Sequence, residues 1–213
     1  MKTSESQVDE FRSVLRTHSA PYEVQLRQAD IARLGSYYEL LLAWNPRLHL
    51  VALCSPAEFA TRHVLESLLL LPHLEQNARI ADVGSGAGLP IIPNLIVRRD
   101  IQATLIESSK KKCVFLREAL RAIKTSEQAK VIVERFEGLP TPEVDYVTCR
   151  ALDRFSEMLP KLIKWSPQTC TFLLFGGSQL RNEIERAGLR FLARRIPDSE
   201  RRFLFVLSQN RMP

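Results

Sequence analysis

Three glycines fall within five positions, Gly84-x-Gly86-x-Gly88, inside "ADVGSGAGLP" at residues 81–90, in a chain with only eight glycines among 213 residues. Apolar residues flank them on both sides. Glycines clustered in this way let a backbone turn sharply and approach something closely. Asp82 stands two residues before the first glycine. Glu107 closes the next strand-like run, "ATLIES", about twenty residues further on. A carboxylate at that place can accept hydrogen bonds from both hydroxyls of a ribose. Together these residues can hold a nucleoside, and two kinds of ligand satisfy them. A dinucleotide carries a pyrophosphate, and its fingerprint sets the third glycine one place later, with amides aimed from a helix end. S-adenosylmethionine carries no phosphate, and its methionine part needs a backbone that passes close by. The tighter spacing with an acid in front suits S-adenosylmethionine. A structural turn with no ligand is the third reading of the glycines taken alone.

Such residues need a strand before the loop, a helix after it and a second strand ending at Glu107. Before about residue 77 the pattern is instead helical. Leu26, Ile31, Leu34, Tyr37, Tyr38, Leu41 and Leu42 recur at spacings of three and four, as one helix face does. A further helix is expected from Pro56 to Leu74, with Pro56 in its first turn and Ser55 as its cap. No strand-like run occurs in this part. After residue 77, "ARIADVG", "ATLIES", "AKVIVE", "VDYVTCR", "CTFLLF" and "RRFLFVLS" read as strands. The stretch after Gly88, "KKKCVFLREALRAI", "RFSEMLPKLIKW" and "QLRNEIERAG" read as helices between them. Parallel neighbours need a crossover that a helix supplies, so the alternation implies a parallel sheet. The expected organisation is a helical extension over residues 1–77 and an open α/β sheet over residues 78–213, packed as one compact unit.

Composition bounds the partners. A net charge of +6 and a pI near 9.3 favour a polyanion. Cys54, Cys113, Cys149 and Cys170 form no C-x-x-C pair, and none stands near a histidine at metal spacing. Free thiols of a reducing cytosol and no metal site are expected, with Cys149 as core. "MKTSESQVDEF" lacks the apolar core of a signal peptide, and "LLLL" at 68–71 is too short to span a bilayer. A cytoplasmic protein with no membrane partner is the expectation.

"DVGSGAGLPIIP" resembles the motif of the small-subunit rRNA guanine-N7 methyltransferases, also called glucose-inhibited division protein B. Its double ending, Leu89-Pro90 and Ile92-Pro93, is far more specific than the glycines. "WNPRLHL", "RHVLESL", "KKKCVFLREA", "ERFEGL" and "VTCRAL" resemble further family segments in the same order, so the resemblance runs from about residue 35 to 208. It implies a Rossmann-like class I S-adenosylmethionine-dependent methyltransferase, with a mostly parallel seven-stranded sheet and an N-terminal helical extension. It implies S-adenosylmethionine as methyl donor and a guanine N7 of 16S rRNA, or of the small ribosomal subunit particle, as acceptor for a monomeric enzyme. An enzyme with another acceptor and a non-catalytic RNA-binding ribosome-maturation protein stay open beside it.

Matched onto the family, the expected cofactor contacts are Asp82, Gly84, Gly86, Gly88, Leu89, Glu107, Phe136, Glu137 and Arg150. Arg150 ends the fourth strand beside the methyl-transfer position; a positioning role is expected, with an ion pair at the sheet edge as the other reading. Guanine N7 bears an exposed lone pair, so no general base is expected. Lys110, Lys111, Arg135 and Arg201 are the expected RNA contacts. The lysines open a helix, where positive charge opposes the dipole, so helix stability does not account for them; phosphate contact is one reading, and a merely solvated face is the other and the preferred one for each cluster taken singly. Arg62-His63 fits either an RNA contact or a helix cap. Three positions depart from the family: Phe175 replaces a lysine, His49-Leu50-Val51 replaces N-L-T, and Ala87 replaces a common proline. The lost lysine leaves two readings open at Phe175: altered RNA contacts, or a ring that stacks on a base instead.

Overall fold

The computed structural model describes residues 3–150 and 155–208. Helix α1 (Ser4–His18) is capped by Thr3, whose hydroxyl accepts from the Ser6 amide at 3.3 Å. Val8, Phe11 and Leu15 recur at three and four along its buried face. Helix α2 (Gln28–Leu48) starts where the Asp30 carboxylate accepts the Arg27 amide. It ends at His49, which takes the left-handed conformation. Phe11 stacks on Tyr38 at 4.5 Å between ring centroids, and Tyr38 stacks on Phe59 at 4.8 Å, so α1 and α2 close over one aromatic seam.

The segment expected as one helix from Pro56 to Leu74 is three. Ser55 caps it as foreseen, its hydroxyl accepting from the Glu58 amide at 3.1 Å. A single turn, α3 (Pro56–Glu58), widens into a π-helix (Phe59–Leu65). The chain then tightens into a 3-10 helix (Leu68–His73). Pro72 has no N–H for the α ladder, which favours the tighter end. The π-helix is wide where the Arg150 guanidinium donates to the main-chain carbonyls of Arg62 and His63. π segments of this kind collect at functional sites.

The remaining described chain is the expected alternation: β1 (Arg79–Val83), α4 (Ile91–Val97), β2 (Gln102–Ile106), α5 (Lys110–Ala122), β3 (Ala129–Ile132), β4 (Tyr146–Arg150), α6 (Phe155–Trp165), β5 (Thr171–Gly176), α7 (Ser178–Arg186), β6 (Phe191–Arg195) and β7 (Phe203–Ser208). The sheet order is β3-β2-β1-β4-β5-β7-β6. The first five are parallel; β7 runs antiparallel to β5, and β6 antiparallel to β7. Two elements lacked a legible pattern. Helix α1 sits in a polar sequence, and β6, "FLARR", shows no apolar alternation to mark a strand: Leu192 and Ala193 are exposed, and two arginines follow them.

Side chains alternate across each strand, so the sheet has two apolar faces. Ile80, Leu105, Leu173 and Phe175 share one core with Phe11, Leu34, Tyr37 and Leu65 of the N-terminal helices. Val83, Ile106, Val147, Leu174 and Phe205 face the other way, against α6 and α7. The register sets Val83 level with Ile106 on one side and Cys149 on the other. Gly84, Glu107 and Arg150 therefore leave the same carboxyl edge, at the crevice where strand order reverses around β1.

Candidate active site

A cleft of about 700 Å³ opens at that edge. The glycine loop forms one wall. Gly84 N and Ser85 N both donate to the Ile106 carbonyl, at 2.9 and 3.2 Å, which ties the loop to β2. Gly86 lines the cleft at φ +52°. A Cβ there would meet only the Gly84 carbonyl, at 3.7 Å, so backbone angle rather than space demands glycine. Gly88, at φ +84°, is off the cleft wall. A Cβ on it would lie 2.3 Å from Ile92 Cδ1. It seats the loop on α4 and is not among the residues that line the cleft.

Glu107 is fixed by two amides. Its Oε2 accepts from Gly86 N at 3.0 Å and its Oε1 from Ser109 N at 2.8 Å. Each carboxylate oxygen keeps a further lone pair, and the residue lines the cleft. Leu89, Phe136 and Glu137 also line it. Phe136 is held edge-on to Trp165 at 5.4 Å between centroids, and Trp165 donates to the Leu139 carbonyl at 3.0 Å. Asp82 is not on the wall. It is 0% exposed, and neither carboxylate oxygen has a hydrogen-bond partner among the described residues. Burial pushes its pKa up to about 7, and Glu107 acts in the same direction.

The N-terminal helices supply a wall that motif reading left unassigned. Tyr37 of α2 is fully buried, and its hydroxyl donates to the Ala87 carbonyl at 2.7 Å. Leu50, Val51 and His63 line the cleft opposite the glycine loop's strand. The signal for them was the "WNPRLHL" and "RHVLESL" segments, whose side chains had no visible partner in the sequence.

Arg150 also lines the cleft, but its guanidinium faces the N-terminal segment. Nη1 donates to the His63 carbonyl at 3.3 Å and to the Ser67 hydroxyl at 3.4 Å. Nη2 donates to the Arg62 carbonyl, to Glu66 Oε2 at 3.2 Å and to His63 Nδ1 at 3.4 Å. Glu66 is 1% exposed and bonds Arg202 as well. A buried carboxylate between two arginines is costly to break from either side. Burial pushes the Arg150 pKa down and Glu66 opposes that. The guanidinium lies 5.7 Å from the Phe175 ring centre. Phe175 is buried beneath it, which corrects the reading in which this ring stacks on a base.

The expected RNA contacts separate. Arg135 lines the cleft, whereas Lys110, Lys111 and Arg201 are exposed and off its wall. Lys112 and Lys161 line it instead. Among the described residues no group of three His, Cys, Asp or Glu could hold a metal, and no helix is long and apolar enough to cross a membrane.

The sheet order, the glycine loop and the acid after β2 define a protein of the Rossmann-like methyltransferase fold. A methyltransferase from Aquifex aeolicus, described as S-adenosylmethionine-dependent, superposes with a TM-score of 0.54 over 66% of this chain and 88% of its own, at 14% identity. The family model of rRNA small subunit methyltransferase G matches residues 30–203, and the chain belongs to that family. The ribosomal RNA small subunit methyltransferase G of Sorangium cellulosum is 38% identical over 77% of this chain and 71% of its own. The one from Anaeromyxobacter dehalogenans is 36% identical over 84% and 82%.

Proposed function

We propose that this protein transfers a methyl group from S-adenosylmethionine to N7 of a guanine in 16S rRNA. Family membership supports the reaction class and the rRNA substrate. The observation that carries the cofactor assignment is Glu107. Two backbone amides hold its carboxylate at the end of β2, beside the glycine loop, with lone pairs left for two ribose hydroxyls. When bound, S-adenosylmethionine supplies an electrophilic methyl carbon on a sulfonium. Gly84, Gly86 and Leu89 would flank its methionine part, and Phe136 and Glu137 its adenine.

The chain's own work is positioning. The N7 lone pair forms the new bond and the sulfur keeps the electrons of the old one. No proton moves, so the site needs no base. Arg150 holds the Arg62–Ser67 segment against the cleft, and Arg135, Lys112 and Lys161 offer cationic partners for phosphates. Lys110, Lys111 and Arg201 extend that surface away from the cleft. The test is methyl transfer from labelled cofactor to small-subunit particles and to naked 16S rRNA, with the product mapped by mass. One 7-methylguanosine is the expected result. Transfer to another atom, or none to either substrate, would reject the proposal.

A further inference from the structure

We propose that His63 holds the guanine to be methylated, donating a hydrogen bond from Nε2 to its O6, and thereby selects guanine over adenine. This rests on the guanine-N7 reading and adds the residue that recognises the base.

The ring's protonation follows from its neighbour. Arginine is a donor only. The 3.4 Å approach of Arg150 Nη2 to His63 Nδ1 therefore suits the tautomer whose Nδ1 accepts and whose proton sits on Nε2. Nε2 has no partner among the described residues, and the ring lines the cleft. Phe59 packs against the imidazole at 5.2 Å between ring centroids and limits its rotation. The ring is neutral at working pH. Burial drives the His63 pKa down to about 3, and Arg150, Arg62 and Arg202 push the same way.

Guanine presents N7 and O6 as adjacent acceptors on one edge. A donor aimed at N7 would occupy the attacking lone pair. A donor aimed at O6 orients the ring and leaves N7 free. Adenine carries an N6 amino donor at that position, which would meet the Nε2 proton head-on. Charge also favours a neutral donor, because methylation at N7 leaves the base cationic. Lys112, Lys161 and Arg135, which line the same cleft, are cations and would oppose that charge. Arg150 is not free for the task. Its two terminal nitrogens already serve five acceptors.

The test compares single-turnover methylation of small-subunit rRNA carrying guanine or 6-thioguanine at the target. Sulfur at position 6 is a weak acceptor, and N7 is retained. Any intrinsic difference in N7 reactivity cancels when the guanine/thioguanine ratio is compared between enzymes. The ratio in the unaltered enzyme should fall about tenfold in H63A, the scale of one buried hydrogen bond. H63N keeps an amide near the Arg150 contact but offers no donor at the Nε2 position, and should lose the ratio too. H63Q restores a donor near that position and should keep most of it. Unchanged affinity for S-adenosylmethionine reports that each variant is folded. If H63A does not fold, the H63N and H63Q pair decides. An unchanged ratio in folded H63A or H63N overturns the assignment. Failure of the unaltered enzyme to make 7-methylguanine overturns the underlying reading, and the role of His63 falls with it.

Discussion

The Tyr37 hydroxyl and the Ala87 carbonyl meet at 2.7 Å across 50 residues of chain, joining α2 to the loop that borders the cleft. Tyr37 is fully buried, and burial raises its pKa, so the phenol stays protonated and donating. The N-terminal segment is thus part of the cleft wall as well as of the core. In Y37F the Ala87 carbonyl loses this donor. Stability should fall by about 1–3 kcal/mol, the cost of an unsatisfied buried acceptor. Affinity for S-adenosylmethionine should weaken as the loop loosens. Urea denaturation and calorimetry measure the two effects. A stable variant with unchanged affinity would show that the contact supports neither.

Glu107 holds the loop and, in our reading, the ribose. E107A should weaken S-adenosylmethionine binding by about 1.5–3 kcal/mol, the scale of hydrogen bonds to a charged group. Calorimetry with S-adenosylhomocysteine gives the same comparison without turnover. Normal binding by a folded E107A would remove the ribose assignment.

The two loop glycines should fail differently. G86A has open space for its methyl group but keeps a left-handed backbone angle, so a cost of about 1–2 kcal/mol is expected, together with weaker cofactor binding. G88A drives its Cβ into Ile92 in a closely packed core, and its dominant effect should be on stability. Thermal denaturation and calorimetry on both variants separate the cases. Equal stability losses would mean that the loop yields where the packing says it cannot.

Arg150 serves five acceptors with a planar fork, which one ammonium cannot reproduce. R150K and R150A should therefore both lose most methylation, while both still bind S-adenosylmethionine. The single-turnover rate in saturating RNA should show no essential base titrating between about pH 6 and 9. Recovery of activity in R150K would return Arg150 to a simple charge role.

Asp82 makes stability depend on pH. Its unfolded pKa is about 3.9 and its folded value about 7, so the fold favours the protonated acid. Between those values the native state binds more protons than the unfolded chain, and this group's contribution to stability falls as pH rises. The penalty is absent below about pH 4 and complete above pH 7, with a ceiling of about 4 kcal/mol. D82N carries no charge at any pH. It should match the unaltered protein at about pH 3.5 and exceed it at about pH 8 in urea denaturation. A difference that does not change with pH would mean that Asp82 is ionised at no cost.

Local pattern carried much of the architecture. Alternating apolar runs and amphipathic stretches located six of the seven strands and the crossover helices, because a buried parallel strand must be apolar and its crossover must be helical. Glycine spacing and the acid after β2 marked the cleft, since sharp turns and ribose contacts tolerate few residue types. "FLARR" was invisible as β6, its strand character coming from pairing with β7 rather than from its own composition. Only the tertiary structure decided which neighbours each side chain has. Phe175 stands where the family has a lysine, and only packing shows that its ring lies buried under Arg150. Arg150 and His63, 87 residues apart, meet through a π-helix that no local pattern announces. Gly88 and Asp82 share the motif of Gly86 yet stand off the cleft. Periodicity reports which face of an element is apolar. Contacts across long stretches of chain arise only when those faces are packed together, and there the residues facing the cleft are chosen.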